Sequence, residues 1–258
     1  MDVIVSHLPY LGCFISAMNG IPKEHGIEVF IEYGNDYFWK YNIQDLMRDR
    51  SGKLSVHGPF VEINLASKEC SWQEVINTYQ WSFDFCNRYQ AVHCVCHPHG
   101  PVPDYHGFKL EDGQKLAVER VVRLNEIAKS RGVELLVENM PYMDLVFEQD
   151  DFVNYFKPIS DINFLIDIGH AMLHNWDISK LLKDLGHRIR AYHVHENNRD
   201  ADSHLKVGEG PLDWDKFFHD YWSYTPESRL VFEYLHGPID EINSNIEGVK
   251  KIIASQKH

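Results

Sequence analysis

Short apolar runs rich in β-branched residues recur along the chain, and each is followed by a turn and then by a longer amphipathic stretch. Runs of this kind predict strands that are buried on both faces, as in a parallel sheet with crossover helices. Eight such runs cover residues 3–6, 27–32, 54–57, 91–97, 134–138, 164–167, 189–193 and 230–233.

The stretches between these runs carry apolar residues at i, i+3 and i+4, which predicts amphipathic helices. The clearest cover residues 72–88, 113–130, 178–185, 214–222 and 241–255. Ser71, with Glu74 three residues later, predicts a capping box, and Gly132 and Gly186 mark helix ends. About eight βα units in one uninterrupted series predict a single (β/α)₈ TIM barrel over residues 1–258, rather than an open doubly wound sheet.

Six of the eight runs end in a histidine or carboxylate that we take as a candidate metal ligand, while Glu32, at the end of the second run, is interpreted either as a substrate contact or as a plain rim residue. Because the carboxyl ends of barrel strands meet at one face, these side chains are expected to converge on one cavity. The carboxylates follow directly on apolar residues, where a buried charge is costly unless a cation or a proton compensates it. Mixed nitrogen and oxygen ligands suit Mn²⁺ or Zn²⁺, and also Co²⁺ or Fe²⁺, better than Ca²⁺. The six residues are His57, His97, Glu138, Asp167, His193 and Glu233.

Two pairs of residues that lie close together in the sequence extend this set of candidate metal ligands. His170 follows Asp167 by three residues, and Asp202 precedes His204 by two residues in a polar loop after the seventh run. His170 is interpreted either as a ligand or as a contact to ligands and substrate. The Asp202 and His204 pair is interpreted either as ligands or as part of an ordinary solvated loop.

Composition narrows the class of partner. With 38 acidic and 25 basic residues the formal net charge is -13, which argues against nucleic acid as a partner because no basic surface attracts a polyanion. No apolar run approaches the roughly 20 residues of a membrane span, and the amino-terminal segment lacks the basic region of a signal peptide. We therefore expect a cytoplasmic protein that does not enter a membrane.

Cysteine usage fits that location. The number of cysteines is odd and no CxxC spacing occurs, which predicts reduced thiols rather than a disulfide framework. Cys94 and Cys96 share one face of the fourth run, opposite His93 and His97, and are expected to pack in the core. The five cysteines are Cys13, Cys70, Cys86, Cys94 and Cys96.

Several segments together resemble a known superfamily. They are SVHGPFVEINLAS, CHPHG, LLVENM, LIDIGHA, YHVHENN, DSHLKVGEGPLDW and VFEY, and they extend from about His57 to Glu233. In combination they are similar to the xylose-isomerase-like TIM-barrel superfamily, which includes sugar phosphate isomerases and epimerases, inosose dehydratase and endonuclease IV. The resemblance implies a metal tetrad at Glu138, Asp167, His193 and Glu233.

The ketose 3-epimerase branch of this superfamily implies further residues. It implies substrate contacts at His170 and Arg199, with Glu196 at an intervening position. It also favours His193 over His195 as the ligand, although strand alternation permits both.

The first functional hypothesis is a divalent-metal-dependent isomerase or epimerase of carbohydrate metabolism that acts on a small polyhydroxy ketone or aldehyde. Proton transfer would pass through a metal-stabilised enediolate, with Glu138 and Glu233 removing and returning the proton from opposite sides. The expected partner is a small sugar; no phosphate-binding glycine loop is evident, which favours an unphosphorylated one, but the sequence leaves its identity and phosphorylation state open. A homo-oligomer remains open.

The alternative is a zinc phosphodiesterase similar to endonuclease IV. All nine zinc ligands of that enzyme have counterparts here, which adds His57, His97, His170, Asp202 and His204 as further metal ligands. Phe60 lies where that enzyme inserts a tyrosine into DNA, although an aromatic side chain there also suits a sugar ring. The expected basic DNA-binding loops are not evident. One bound ion would favour the isomerase and three the phosphodiesterase, while a lyase or dehydratase on the same site is a third hypothesis.

Overall fold

Eight parallel strands pair in chain order and close into a barrel, with β1 pairing to both β2 and β8. The computed structural model describes residues 1–257, except for the side chains of Cys13 and Tyr33. The predicted (β/α)₈ TIM barrel is confirmed. The strands are β1 (Val3–Ser6), β2 (Gly26–Phe30), β3 (Leu54–His57), β4 (Cys94–Cys96), β5 (Leu135–Glu138), β6 (Asn163–Asp167), β7 (Ile189–Val194) and β8 (Arg229–Phe232).

Helices cover the outside of the barrel between the strands. The five predicted helices are present as α2, α3, α6, α7 and α8, and three others were not predicted. Of these, α5 has only six residues, too few to show a clear 3.6-residue period, whereas α4 and α1 each bury three apolar residues. The helices are α1 (Asp36–Leu46), α2 (Trp72–Tyr89), α3 (Leu110–Ser130), α4 (Gln149–Phe156), α5 (Ile168–Leu173), α6 (Ile178–Leu185), α7 (Trp214–Tyr224) and α8 (Ile239–Ser255).

Helix ends follow the predicted signals. Ser71 and Glu74 form the capping box that begins α2, each side chain bonding the other residue's backbone N–H. Gly132 and Gly186 have φ values of 71° and 52°, the left-handed region that glycine adopts without a steric penalty. These turns return the chain from α3 and α6 to the amino ends of β5 and β7.

One apolar layer inside the barrel supports the polar residues at the strand ends. Val95, Leu136, Leu165 and Ala191 form a buried cluster separate from the main core between barrel and helices. Each lies two residues before a predicted site residue at or next to the end of its strand, so the layer lies directly beneath the predicted site. The polar residues at the strand ends therefore lie above a packed apolar layer.

The cysteine predictions are confirmed where the structure describes them. Cys70, Cys86, Cys94 and Cys96 are free thiols. Cys94 and Cys96 are fully buried and pack in the main core. The side chain of Cys13 lies outside the described residues. Within residues 1–257, no helix has both the length and the apolar character that crossing a membrane requires.

Candidate metal centre and active site

His193 lies at the centre of the predicted tetrad. Its Nδ1 atom lies 2.9 Å from Glu138 Oε1, 3.4 Å from Asp167 Oδ2 and 3.3 Å from Glu233 Oε2. None of the four side chains is more than 3 % exposed. Three carboxylates and one imidazole from four strands thus share one small buried space, which requires a compensating positive charge.

Protons supply that charge when no metal ion is bound. Burial opposes ionisation of Glu138, but His193 and His97 hold its pKa well below the usual range. Burial likewise opposes charge on His193, but Glu233, Glu138 and Glu28 raise its pKa well above the usual value. A cation bound at this point must therefore displace the proton of His193 Nδ1.

A second group of potential metal ligands also includes Glu138. Its Oε2 atom lies 2.9 Å from His97 Nε2 and 3.7 Å from His57 Nε2. Among the described residues, neither Glu138 Oε2 nor His97 Nε2 has a partner aligned for a hydrogen bond. Buried polar atoms that converge without bonding one another have the arrangement of ligands around an ion.

A third group lies on the other side of the tetrad. Asp202 Oδ2 is 3.2 Å from His170 Nε2 and 3.1 Å from His204 Nε2. Burial opposes charge on both histidines, but Asp167 and Asp202 raise the pKa of His170 to about 10, and Asp202 and Glu233 raise that of His204 to about 9. Asp167 also caps α5, because its carboxylate accepts the backbone N–H of His170 at 2.7 Å. This hydrogen bond holds His170 close to Asp167.

Four of these histidines are each oriented by an outer hydrogen bond. His57, His170 and His204 have Nδ1 within 2.9 Å of a backbone carbonyl, of Gly58, Asn139 and Glu233 respectively. Since a carbonyl only accepts, Nδ1 is the donor and Nε2 faces the site. His193 is reversed, because its Nε2 donates to Glu28 at 2.8 Å and its Nδ1 faces the carboxylates. This outer hydrogen bond is typical of metal-binding histidines, so the residues present fit a metal ion.

His195 lies next to the tetrad. Its Nε2 atom is 2.9 Å from Asp167 Oδ2, and its ring stacks on His204 with centroids 3.9 Å apart. His193 faces three carboxylates of the tetrad and His195 contacts one, which favours His193 as the ligand. His195 also belongs to two groups of residues that could hold an ion, one with Asp167 and Glu233 and one with His170, Asp202 and His204.

Four of the six strand-end residues, His57, His97, Glu138 and Glu233, line a cavity of about 240 Å³, whereas Asp167 and His193 are not among its lining residues. Its walls include Leu8, Phe30, Phe60 and Met140, and none of the described residues that line it is lysine or arginine. Phe60 contacts the rings of His57 and His97, each with a centroid distance of 5.2 Å. The cavity therefore combines an apolar cover with a floor of carboxylates and imidazoles.

Two predicted substrate contacts, Glu196 and Arg199, do not line this cavity, and their role in substrate binding stays a prediction. Glu196 is fully buried, and its carboxylate accepts the N–H groups of Gly208, Gly210 and Leu212 at 2.5, 3.1 and 3.0 Å. Its oxygens hold a loop and do not line the cavity. Arg199 is exposed, has a φ of 65° and donates to the Asn175 side chain. Neither Arg199 nor Asn175 is among the residues that line the cavity.

Sequence reasoning also missed Glu28, the buried partner of His193. The available signal was its position in β2, where an acidic residue stands between Ile27 and Val29 in an otherwise apolar strand. By alternation it shares the inward face with the strand-end residues.

Comparisons with known proteins agree with this architecture. A family model described as xylose isomerase-like TIM barrel matches residues 22–248, and the chain belongs to that family. An uncharacterized protein of Methanocaldococcus jannaschii is 26% identical over 208 residues, covering 78% of each chain. A second uncharacterized protein of the same organism is 27% identical over 226 residues, covering 81% of this chain and 75% of the other.

Solved structures share the fold at lower identity. A D-tagatose 3-epimerase-like protein is 21% identical with a TM-score of 0.83, covering 99% of both chains. A D-psicose 3-epimerase from Clostridium cellulolyticum, determined with D-tagatose, is 15% identical with a TM-score of 0.71, covering 99% of this chain and 96% of that one. A protein of Thermus thermophilus soaked with ZnCl₂ is 20% identical with a TM-score of 0.70, covering 99% of both chains.

Proposed function

We propose that this protein is a divalent-metal-dependent isomerase or epimerase that acts on a small, unphosphorylated polyhydroxy ketone or aldehyde. One observation carries the proposal: Glu138 of β5 and Glu233, which directly follows β8, both face His193 Nδ1 and both line the same cavity. Two carboxylates that reach one bound molecule from different walls suit proton removal on one side and proton return on the other.

The tetrad of Glu138, Asp167, His193 and Glu233 would hold the ion. When bound, a divalent cation supplies Lewis acidity toward neighbouring carbonyl and hydroxyl oxygens, which acidifies the carbon-bound proton between them. The histidine-rich ligand set favours Zn²⁺ or Mn²⁺, with Co²⁺ and Fe²⁺ as alternatives.

The chain's own residues carry the proton. One of Glu138 and Glu233 removes it from carbon, and the other returns a proton to the same or the neighbouring carbon. Ser6 donates a hydrogen bond to Glu233 Oε1 at 3.4 Å, which orients that carboxylate. Phe60 and Leu8 cover the cavity and exclude water, and His170 lines it within reach of substrate hydroxyls.

The cavity supports a small neutral substrate. A volume of about 240 Å³ is below that of typical sites for drug-sized ligands. Lysine and arginine, the usual partners of phosphate, are absent from the described lining residues. The names of two structural neighbours, a D-tagatose 3-epimerase-like protein and a D-psicose 3-epimerase, point to the same class of substrate.

Deuterium exchange tests this proposal without knowledge of the product. The metal-loaded protein is incubated in D₂O with a panel of ketoses and aldoses, and carbon-bound deuterium is measured by NMR. Incorporation into one or more sugars, together with a new sugar isomer, is expected. If a deoxy-keto product forms instead, the same proton removal serves a dehydratase. Absence of exchange in every sugar by protein that binds metal contradicts the proposal.

A zinc phosphodiesterase is the second candidate, because of the three donor groups around Glu138. The nine residues that correspond to the ligands of endonuclease IV all lie in these groups. Elemental analysis and an abasic-site DNA duplex decide between the two. One ion per chain with no cleavage favours the isomerase, and three ions with cleavage favour the phosphodiesterase. The covered cavity without basic lining residues leads us to prefer the isomerase.

A further inference from the structure

The carboxylate of Glu28 lies directly behind the candidate ligand His193. Its Oε1 atom is 2.8 Å from His193 Nε2, on the side of the ring opposite the three carboxylates of the tetrad. Glu28 is fully buried and does not line the cavity. It therefore contacts the ligand without a path to substrate.

Three donors hold Glu28 in place. Besides His193, its Oε2 atom lies 2.9 Å from Ser55 Oγ and 3.2 Å from His93 Nε2. The last contact extends toward the amino ends of the strands, where His93 Nδ1 meets Arg229 and Arg229 pairs with Glu134 at 3.0 Å. A carboxylate with three buried donors has little freedom to turn.

Glu28 differs from the other outer partners of the histidines. His57, His170 and His204 are oriented by backbone carbonyls, which no substitution removes. His193 is oriented by a side chain, and a charged one. A carboxylate that accepts the distal N–H fixes the ring and increases the basicity of the opposite nitrogen.

We propose that Glu28 is a positioning residue of the metal centre, which holds His193 with Nδ1 directed at the ion and strengthens that bond. The inference rests on the proposed metal-dependent function. It assigns no contact with substrate to Glu28, so its first effect is on metal affinity.

Co²⁺ titration of Glu28→Gln tests the proposal. Glutamine keeps the size of the side chain and an acceptor for His193, but it removes the charge. Glu134→Gln is the control, because it makes the same change at a partly exposed residue just before β5, which keeps an acceptor for Arg190 and Arg229 and contacts neither Glu28 nor His193. The readouts are Co²⁺ affinity, the visible Co²⁺ absorption bands and the melting temperature of each metal-free variant.

Glu28→Gln is expected to lower Co²⁺ affinity by about 10- to 100-fold and to shift the absorption bands. Glu134→Gln is expected to lower the melting temperature while its affinity stays within about twofold of the wild type. Wild-type affinity in Glu28→Gln, or an equal loss in both variants, overturns the proposal.

A further variant, His193→Ala, distinguishes failure of the role of Glu28 from failure of the metal centre itself. If the wild type binds Co²⁺, His193→Ala does not, and Glu28→Gln binds normally, only the role of Glu28 fails. If the wild type and His193→Ala bind equally, or neither binds, the metal centre of the proposed function fails and the role of Glu28 fails with it.

Discussion

The two oxygens of Glu138 face different histidines, Oε1 at 2.9 Å from His193 Nδ1 and Oε2 at 2.9 Å from His97 Nε2. One buried carboxylate thus joins the tetrad to the group formed by His57 and His97. Loss of the Glu138 carboxylate is therefore expected to disturb both groups at once.

Glu138→Gln and Glu233→Gln are each expected to lower turnover by about 100-fold or more, because an amide cannot accept the substrate proton. The chain should still fold, since glutamine has nearly the same shape. Turnover in the sugar panel and circular dichroism measure the two properties. Glu126→Gln, the same change at an exposed position of α3, serves as the control and should behave as wild type. Near-normal turnover in metal-loaded Glu138→Gln or Glu233→Gln would show that the substituted carboxylate does not transfer the proton.

Phe60→Ala is expected to raise KM by about 10-fold or more, because Phe60 is only partly buried and a substrate would complete its burial, and full burial of an aromatic side chain contributes about 1.5–3 kcal/mol. Turnover should fall less, since the proton-transferring groups remain. Steady-state kinetics of the variant measure both quantities. The neighbouring Val61 is 51% exposed, so Val61→Ala provides a comparison expected to leave KM unchanged. Equal effects of the two substitutions would show that Phe60 does not cover the substrate.

Glu196→Gln is expected to lower the free energy of unfolding by about 2–4 kcal/mol, because three partly buried N–H groups lose a charged acceptor. Hydrogen exchange of Gly208, Gly210 and Leu212 should accelerate in parallel. Urea denaturation gives the stability, and KM should stay normal if the residue does not touch substrate. A raised KM with unchanged stability would instead support the substrate contact that the epimerase resemblance implies for Glu196.

The metal-free protein is expected to lose stability as the pH rises from about 6.5 to 10. Asp167 and Asp202 raise the pKa of His170 to about 10, and Asp202 and Glu233 raise that of His204 to about 9, although burial opposes both shifts. A raised folded-state pKa stabilises the fold fully below the ordinary value of 6.5, and the contribution disappears as the pH passes the folded-state pKa.

Melting temperatures with and without Zn²⁺ across that range measure the effect. The bound cation replaces the protons, so the metal-loaded protein should show a smaller decrease. His170→Asn should flatten the metal-free curve. A metal-free melting temperature that is constant or rises over this range would count against these ion pairs.

Local pattern was sufficient to predict the strands and the ends of several helices. The bounds of β1, β3 and α6 are those expected from the sequence, since short apolar runs and helical periodicity determine them directly. By contrast, β2 ends at Phe30, and β4 begins only at Cys94, because pairing with neighbouring strands decides where each strand starts and stops. The helix α1 was missed although Trp39, Ile43 and Leu46 mark its buried face.

The candidate site was predictable as far as strand ends alone determine it. His57, Glu138 and Asp167 stand at the last positions of their strands, and the closed barrel brings them together. Glu28 lies mid-strand, and its role depends on contact with His193 from 165 residues away. Glu196 sits beside a strand end but turns toward three loop amides. Neither contact has a local signature in the sequence.

Anomalous X-ray diffraction from crystals loaded with Zn²⁺ or Mn²⁺ tests the central claim most directly. The account predicts a peak within about 2.0–2.3 Å of ligand atoms from Glu138, Asp167, His193 and Glu233. A loaded crystal in which these four residues surround no peak would contradict it.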